Sequence, residues 1–143
     1  MKKIIYSLLL ALSIQKASSQ IITTIAGIGT SGYSGDNGSA TSATFNGPVS
    51  ITTDNLGNKY IADTHNNVIR KINTLGIIST VAGNGNFLYG GDGGPATSAS
   101  LRSPASVVFD TIGNMYIADQ GNSVIRKVDT NGIISTVVGV DGK

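Results

Sequence analysis

The chain repeats itself at a constant spacing of 56 residues. Residues 22–77 align with residues 78–133 without insertion or deletion, and 30 of these 56 positions are identical. A third copy begins at Ile134, and the chain of 143 residues ends within ten residues of that point. Self-similarity at a fixed period is the signature of solenoids, propellers and arrays. The fold must therefore be built from copies of one small structural unit.

Each unit is predicted to contain four β-strands, which are short, rich in Val, Ile, Tyr and Thr, and bounded by Gly, Asn or Asp. The strands are predicted in the first unit at residues 48–54, 59–63, 68–73 and 77–82, and in the second at 104–110, 115–119, 124–129 and 133–138. A Gly/Ser/Thr/Ala-rich segment precedes the strands of each unit; we call residues 27–47 linker 1 and residues 83–103 linker 2. Four antiparallel strands in a gapless repeat predict an all-β chain of propeller blades, with a β-solenoid as the alternative.

Both units share the pattern P-x-x-[IV]-x-x-D-x-x-G-N-x-Y-I-A-D-x-x-N-x-[VI]-[VI]-R-K-[IV], which resembles the NHL repeat. The 56-residue period and the G-D-G-G-P-A-T stretch at residues 91–97 resemble the long NHL subtype of secreted bacterial proteins and of the propeller in teneurin-like cell-surface proteins. The resemblance implies a propeller fragment with two complete four-stranded blades. It also implies an orphan outer strand at residues 21–26, a copy of the fourth strand that would close a ring with a blade of a longer chain. Self-assembly of several copies into one ring is the rival explanation.

The N-terminal segment, residues 1–19, is typical of a secretory signal peptide. Lys2 and Lys3 precede an apolar run of 11 residues, which is shorter than the roughly 20 needed to span a bilayer, and small residues precede Gln20. An uncleaved membrane anchor is the alternative. Export would leave residues 20–143 as a partial propeller that is secreted or attached to the cell surface, and no later apolar run suggests a transmembrane segment.

Charge and composition exclude several kinds of chemistry. From Gln20 onward the chain has seven Lys and Arg residues against eight Asp, so the sequence predicts no nucleic-acid partner. It contains one histidine, His65, with no cysteine and no glutamate, and we therefore predict no metal, no cofactor and no catalytic residue in these two units. The recurring pairs Arg70-Lys71 and Arg126-Lys127 are expected to serve hydrogen bonding and packing between blades.

Ligand-binding candidates lie in the linkers, because loops on a rigid scaffold commonly provide binding sites. They are exposed aromatic and acidic residues in Gly-rich surroundings: Tyr33, Asp36, Phe87, Tyr89 and Asp92. A second recurring set flanks the tight turn after the second strand and is expected to fix backbone amides there. These structural turn residues are Asp63, Asn66, Asp119 and Asn122.

The sequence leaves several functions open. The leading hypothesis is a secreted or cell-surface scaffold that recognises a protein or a glycan. The alternative is part of a propeller enzyme of the lyase or lactonase type, whose catalytic and metal-binding residues would lie in missing blades. A self-assembling, lectin-like ring is a further alternative. RNA binding, which is known for some NHL domains, does not fit an exported chain with net negative charge.

Overall fold

The computed structural model describes residues 21–140. The predicted signal peptide at residues 1–19 lies outside this range and stays a prediction. Between residues 21 and 140, no helix has the length and apolar character needed to cross a membrane.

The described residues form eight strands in two four-stranded antiparallel sheets, which confirms the all-β prediction. Sheet 1 consists of β1 (Pro48–Thr53), β2 (Lys59–Asp63), β3 (Val68–Ile72) and β4 (Ile78–Ala82). Sheet 2 consists of β5 (Pro104–Phe109), β6 (Met115–Asp119), β7 (Val124–Val128) and β8 (Ile134–Val138). In each sheet the strands pair in sequence order. The linkers and the second turns contain single-turn 3₁₀ helices, namely η1 (Ala40–Ser42), η2 (Thr64–Asn66), η3 (Ala96–Ser98) and η4 (Gln120–Asn122).

The orphan outer strand predicted at residues 21–26 is not formed in this structure. A strand is stabilised by ladder hydrogen bonds to a neighbour, and both sheets already contain a fourth strand of their own. The fourth strands also begin one residue later than predicted. Ile77 and Ile133 form isolated bridges to the linker residues Ser39 and Pro95, so these two positions join the linkers to the sheets.

The turn between the first two strands is organised by one carboxylate. Asp54 Oδ1 accepts hydrogen bonds from the amides of Leu56 and Asn58, both at 2.9 Å. Its Oδ2 accepts the hydroxyl of Tyr60 at 3.1 Å. Asp110 makes the same set of bonds in sheet 2. This arrangement explains why an Asp, a Gly-Asn pair and a Tyr recur at fixed spacing in both units.

The main core lies between the two sheets and includes part of linker 2. The Tyr60 and Phe109 rings approach to 4.5 Å between centroids across this boundary. The buried side chains come from all three segments: Tyr60, Ala62, Ile69 and Ala82 of sheet 1, Ala96, Ala99 and Leu101 of linker 2, and Val107, Met115, Ile117, Val128 and Ile134 of sheet 2. Linker 2 is therefore part of the packed interior.

Equivalent positions of the two repeats differ in burial. Val107 is 3% exposed because sheet 1 and linker 2 cover it, whereas its counterpart Ile51 is 55% exposed. Pro104 is fully buried, and its counterpart Pro48 is exposed. Ile51 and Pro48 belong to a largely apolar concavity of about 370 Å³ on sheet 1. Sheet 1 covers the equivalent surface of sheet 2, but no further sheet among the described residues covers this surface of sheet 1. We call this uncovered surface the front face.

Candidate functional site

Each linker lies across the sheet that follows it in the sequence. In linker 1 the amide of Asn37 donates to the carbonyl of Ile78 at 2.7 Å. Linker 2 repeats this bond between the amide of Gly93 and the carbonyl of Ile134 at 2.8 Å. The middle of each linker is thus bonded to the first residue of the fourth strand. The linker residues on either side of this bond cross the sheet.

A buried arginine joins linker 1 to the middle of sheet 1. The side chain of Arg70, on β3, has no exposed surface. Its Nη2 donates to Asp36 Oδ1 and to the carbonyl of Ser34, both at 2.9 Å. Its Nη1 donates to the carbonyl of Thr44 at 3.4 Å and to Asp63 Oδ2 at 3.5 Å. One guanidinium group therefore bonds both limbs of linker 1 and the end of β2.

The second repeat contains the same arrangement around Arg126. Its Nη2 lies 2.6 Å from Asp92 Oδ1 and 3.1 Å from the carbonyl of Gly90. Its Nη1 lies 3.4 Å from Asp119 Oδ2 and 3.3 Å from the carbonyl of Ser100. All these partners lie within one repeat. The prediction that the recurring arginines serve hydrogen bonding is confirmed, and the bonds of each arginine join a linker to its own sheet rather than one blade to the next.

The predicted ligand-binding tyrosines cover these arginines. The Tyr33 ring lies 4.8 Å from the guanidinium carbon of Arg70, within cation–π range. The Tyr33 hydroxyl lies 2.8 Å from Thr80 Oγ1 and donates to Asp36 Oδ2 at 3.3 Å. Tyr89 makes the equivalent contacts in linker 2. The hydroxyls are thus bonded inside the chain, while 53% of the Tyr33 surface stays accessible to solvent.

The predicted turn residues connect η2 and η4 to the linkers. Asp63 Oδ1 accepts the amide of Asn46 at 2.8 Å. Asn66 Nδ2 donates to Asp63 Oδ2 and to the carbonyl of Gly32, both at 2.8 Å. These bonds hold both limbs of linker 1 against η2. The second repeat has the same geometry at Asp119, Asn122, Arg102 and Leu88.

Burial and hydrogen bonding act in opposite directions on these carboxyl groups. Burial raises the pKa of Asp63, although hydrogen bonds and the charge of Arg70 oppose the rise. Burial also acts on Asp92, but hydrogen bonds from Thr136 and Arg126 outweigh it, and the pKa of Asp92 lies below its ordinary value. Asp92 is therefore ionised at neutral pH, and its bond with Arg126 is charge-assisted.

Linker 2 also presents an apolar and cationic surface that linker 1 lacks. Phe87 and Leu88 are 54% and 62% exposed, and the guanidinium carbon of Arg102 lies 4.5 Å from the centre of the Phe87 ring. Sequence reasoning identified Phe87 but missed Leu88 and Arg102. These residues border a cavity of about 380 Å³ whose lining comprises Phe87, Leu88, Tyr89, Arg102, Gly121, Asn122 and Ser123. The signal that could have found them is divergence between the repeats, since their counterparts are Gly32 and Asn46.

The structure thus places four of the five predicted linker residues around the two buried arginines, while Phe87 lies beside Arg102. Tyr33 and Asp36 lie around Arg70, and Tyr89 and Asp92 lie around Arg126. Between residues 21 and 140, no three His, Cys, Asp or Glu side chains are arranged so that they could hold a metal ion.

Comparison with known proteins gives one family across both repeats. The family model described as the teneurin NHL domain matches residues 16–90 and 88–143. Teneurin-1 of Gallus gallus is 34% identical over 96 residues, which cover 58% of this chain and 4% of that protein. Teneurin-3 of Mus musculus is 51% identical over 49 residues, which cover 34% of this chain and 2% of that protein. The chain therefore spans only about 4% of the length of the curated relatives it matches.

Several solved structures resemble the chain in three dimensions. One of them is the crystal structure of a putative phosphatase from Bacteroides thetaiotaomicron VPI-5482, which superposes with a TM-score of 0.57 and 28% sequence identity. The match covers 80% of this chain and 26% of that one. The likeness therefore concerns the arrangement of the sheets in about a quarter of the larger protein.

Proposed function

The chain belongs to the teneurin NHL domain family, and from this we propose that it is part of an extracellular NHL propeller that recognises a protein or glycan ligand. The family match confirms the resemblance to the NHL repeat. Each four-stranded sheet then corresponds to one propeller blade, and the long-repeat subtype is part of the proposal. The relatives extend far beyond the matched segment, so their ligands do not identify the ligand of this chain. The class of ligand is therefore inferred from the residues of this chain.

The observation that supports a recognition role is the fixed position of the linkers. Arg70 and Arg126 hold them by ion pairs in which both guanidinium groups are buried. Linkers held in this way expose Tyr33, Phe87 and Leu88 to solvent at fixed positions. Aromatic and apolar side chains displayed on an ordered loop are typical of surfaces that bind other molecules.

The front face supports a proposal about the rest of the ring. Its counterpart on sheet 2 is covered by sheet 1 and linker 2, which bury Val107 where Ile51 is exposed. We infer that a further blade of the same type covers Ile51 in the assembled protein. That blade comes either from the same protein or from a second copy of this chain.

Export is supported by the composition of residues 1–19. The test is to fuse residues 1–30 to alkaline phosphatase that lacks its own signal and to express the fusion in Escherichia coli, where the reporter is active only outside the cytoplasm. We expect an active reporter and a mature N-terminus at Gln20. An inactive reporter retained in the cytoplasm would contradict export.

The recognition role is tested with the chain from Gln20 onward, applied to a random peptide array and to a glycan array. We expect saturable binding to features of one array at a concentration at which the chain is monodisperse. Saturable binding to peptides would assign the ligand to proteins, and binding to sugars would assign it to glycans. The absence of saturable binding on both arrays would overturn the proposal.

A further inference from the structure

We propose that Phe87, Leu88 and Arg102 form a binding site for a partner protein that presents a carboxylate next to an apolar side chain. This inference rests on the proposed recognition function and names the class of ligand for linker 2. Three features of the structure support it: the backbone position of Arg102, the absence of a charge partner for it among residues 21–140, and the exposed apolar side chains beside it.

Arg102 is positioned by its own backbone and by a glycine. Its amide donates to Asp119 Oδ1 at 2.7 Å, and its carbonyl accepts the amide of Gly121 at 2.8 Å. The side chain then passes over Gly121, where an added Cβ would lie 2.5 Å from Arg102 Cγ. A side chain at position 121 would therefore displace Arg102, and the glycine gives the guanidinium its path across η4.

The guanidinium of Arg102 contacts the ring of Phe87. The backbone of Phe87 forms a bridge with Leu101, which is the residue before Arg102. The bridge brings the side chains of Phe87 and Arg102 close together. The ring then lies 4.5 Å from the guanidinium carbon of Arg102. Stacking on an aromatic ring leaves the edge of the guanidinium free to form hydrogen bonds. The cation thus already contacts an aromatic ring before any partner arrives.

Within residues 21–140 the ion pairs involve Arg70 and Arg126, and Arg102 takes part in none. Its side chain is exposed, so solvent and a partner can reach it. A planar guanidinium matches a carboxylate through two parallel hydrogen bonds. The charge complement of this site is therefore an anion, and on an unmodified protein partner that anion is a carboxylate.

The neighbours of Arg102 favour a protein over a sugar. Leu88 exposes 62% of its surface beside the cavity and offers no group that could bond a hydroxyl. Arginine and aromatic side chains are enriched in protein–protein interfaces, and here they lie beside the apolar side chain of Leu88 and the polar groups of Asn122 and Ser123. The first repeat has Ser31, Gly32 and Asn46 at the three positions, so the site belongs to linker 2 alone.

The test uses nuclear magnetic resonance on the chain from Gln20 onward with the peptide acetyl-Gly-Leu-Asp-Leu-Gly-amide. We expect saturable shifts of the Arg102 Nε–H signal and of the Phe87 and Leu88 amides. The peptide with Asn in place of Asp is expected to bind the unaltered chain at least roughly tenfold more weakly than the Asp peptide does. The Asp peptide is expected to lose affinity to the same extent when Arg102→Gln replaces the unaltered chain. Lys59→Gln, which removes a positive charge outside the cavity lining, is the matched control and should leave binding unchanged.

A second variant protects the test against a folding artefact. Phe87→Ser, Leu88→Gly and Arg102→Asn together install the residues that the first repeat tolerates, and this variant should fold and lose the shifts. Equal binding of both peptides, or shifts that persist in Arg102→Gln, would overturn the inference. Shifts with a glucuronate-containing disaccharide but not with the peptides would also overturn it, in favour of an acidic glycan.

The two proposals can fail separately. If Arg102→Gln binds the arrays as the unaltered chain does, this site is refuted while the recognition function stands. If the unaltered chain binds nothing on either array, the recognition function itself is refuted.

Discussion

Arg126 Nη2 and Asp92 Oδ1 lie 2.6 Å apart although 34 residues separate them in the sequence. Arg70 and Asp36 form the same bond at 2.9 Å and at the same separation. Each pair joins the third strand of a sheet to the linker that precedes that sheet. The ion pair therefore determines the position of the linker, and with it the exposure of the aromatic residues on the linker.

Replacing Arg126 with Ala should lower the free energy of unfolding by about 3–5 kcal/mol, because removal of one partner leaves Asp119 buried without its counter-charge. The measurement is urea denaturation followed by circular dichroism. Lys127→Ala changes the next residue of β7 and is the control, with an expected effect within about 0.5 kcal/mol. Similar losses in the two variants would contradict the role given to Arg126.

Alanine substitutions at two glycines of linker 2 distinguish the loss of stability caused by backbone strain from the loss caused by steric crowding. Gly91 and Gly93 have φ angles of +93° and +80°. An added Cβ at Gly91 would lie 2.5 Å from Ala99 Cα, whereas one at Gly93 would have no atom within 4 Å. Gly93→Ala should therefore cost about 1–2 kcal/mol from strain alone, and Gly91→Ala about 1–3 kcal/mol more. Equal unfolding free energies for the two variants would show that linker 2 is not packed against itself as described.

The Asp110 turn makes stability depend on acid pH. Hydrogen bonds from Asn114 hold the pKa of Asp110 below its ordinary value despite partial desolvation. A folded-state pKa below the unfolded value of about 3.9 gives stability that is present above that value and is lost as the pH falls through the folded pKa. Asp110→Asn should therefore flatten the decline of the melting temperature between about pH 5 and pH 2.

Asp54→Asn is the matched variant in the first repeat, because the pKa of Asp54 is also lowered: hydrogen bonds from Asn58 and Tyr60 outweigh the effect of burial. It should flatten the same part of the curve. Identical pH profiles for both variants and the unaltered chain would rule out this source of acid sensitivity.

The front face predicts opposite results for equivalent substitutions in the two repeats. Val107→Lys should unfold the chain, because it places a charge in a core position that is 3% exposed. Ile51→Lys, at a position that is 55% exposed, should leave the melting temperature nearly unchanged. Loss of folding in Ile51→Lys as severe as in Val107→Lys would contradict an uncovered front face.

Light scattering on the same variants identifies the covering blade. If second copies of the chain cover the front face, the unaltered chain forms a ring-sized assembly and Ile51→Lys is a monomer. If the cover is a further blade of the same protein, both are monomers.

The strands were predictable because the same local sequence pattern occurs in both units of the chain. Asp54 and Asn58 mark the first turn, and the runs of Val, Ile and Tyr beside them have the composition of strands. The prediction of a strand at residues 21–26 was wrong because a sequence pattern shows that a segment can form a strand, but it does not show that a neighbouring strand is available to pair with it. Ile77 was placed in a strand for the same reason, although it pairs with linker 1.

The candidate site was only partly predictable, because its main contacts join distant segments. Tyr33 and Asp36 were visible as recurring linker residues, but the bond between Asp36 and Arg70 spans 34 positions, and a repeat pattern does not show which recurring residues meet. Arg102 was missed for the opposite reason, since it occurs in one repeat only. Residues that recur in both units therefore stabilise the fold, whereas residues that differ between the units form the proposed binding surface.

Whether the buried arginines hold the linkers in place is measured by hydrogen–deuterium exchange of the linker amides. In the unaltered chain the amides of Gly93 and Ala96, which bond to Ile134 and Gly132, should exchange slowly. In Arg126→Ala these two amides should exchange rapidly while the equivalent amides of linker 1 stay protected. Rapid exchange of Gly93 and Ala96 in the unaltered chain, or unchanged protection in Arg126→Ala, would show that the arginines do not hold the linkers.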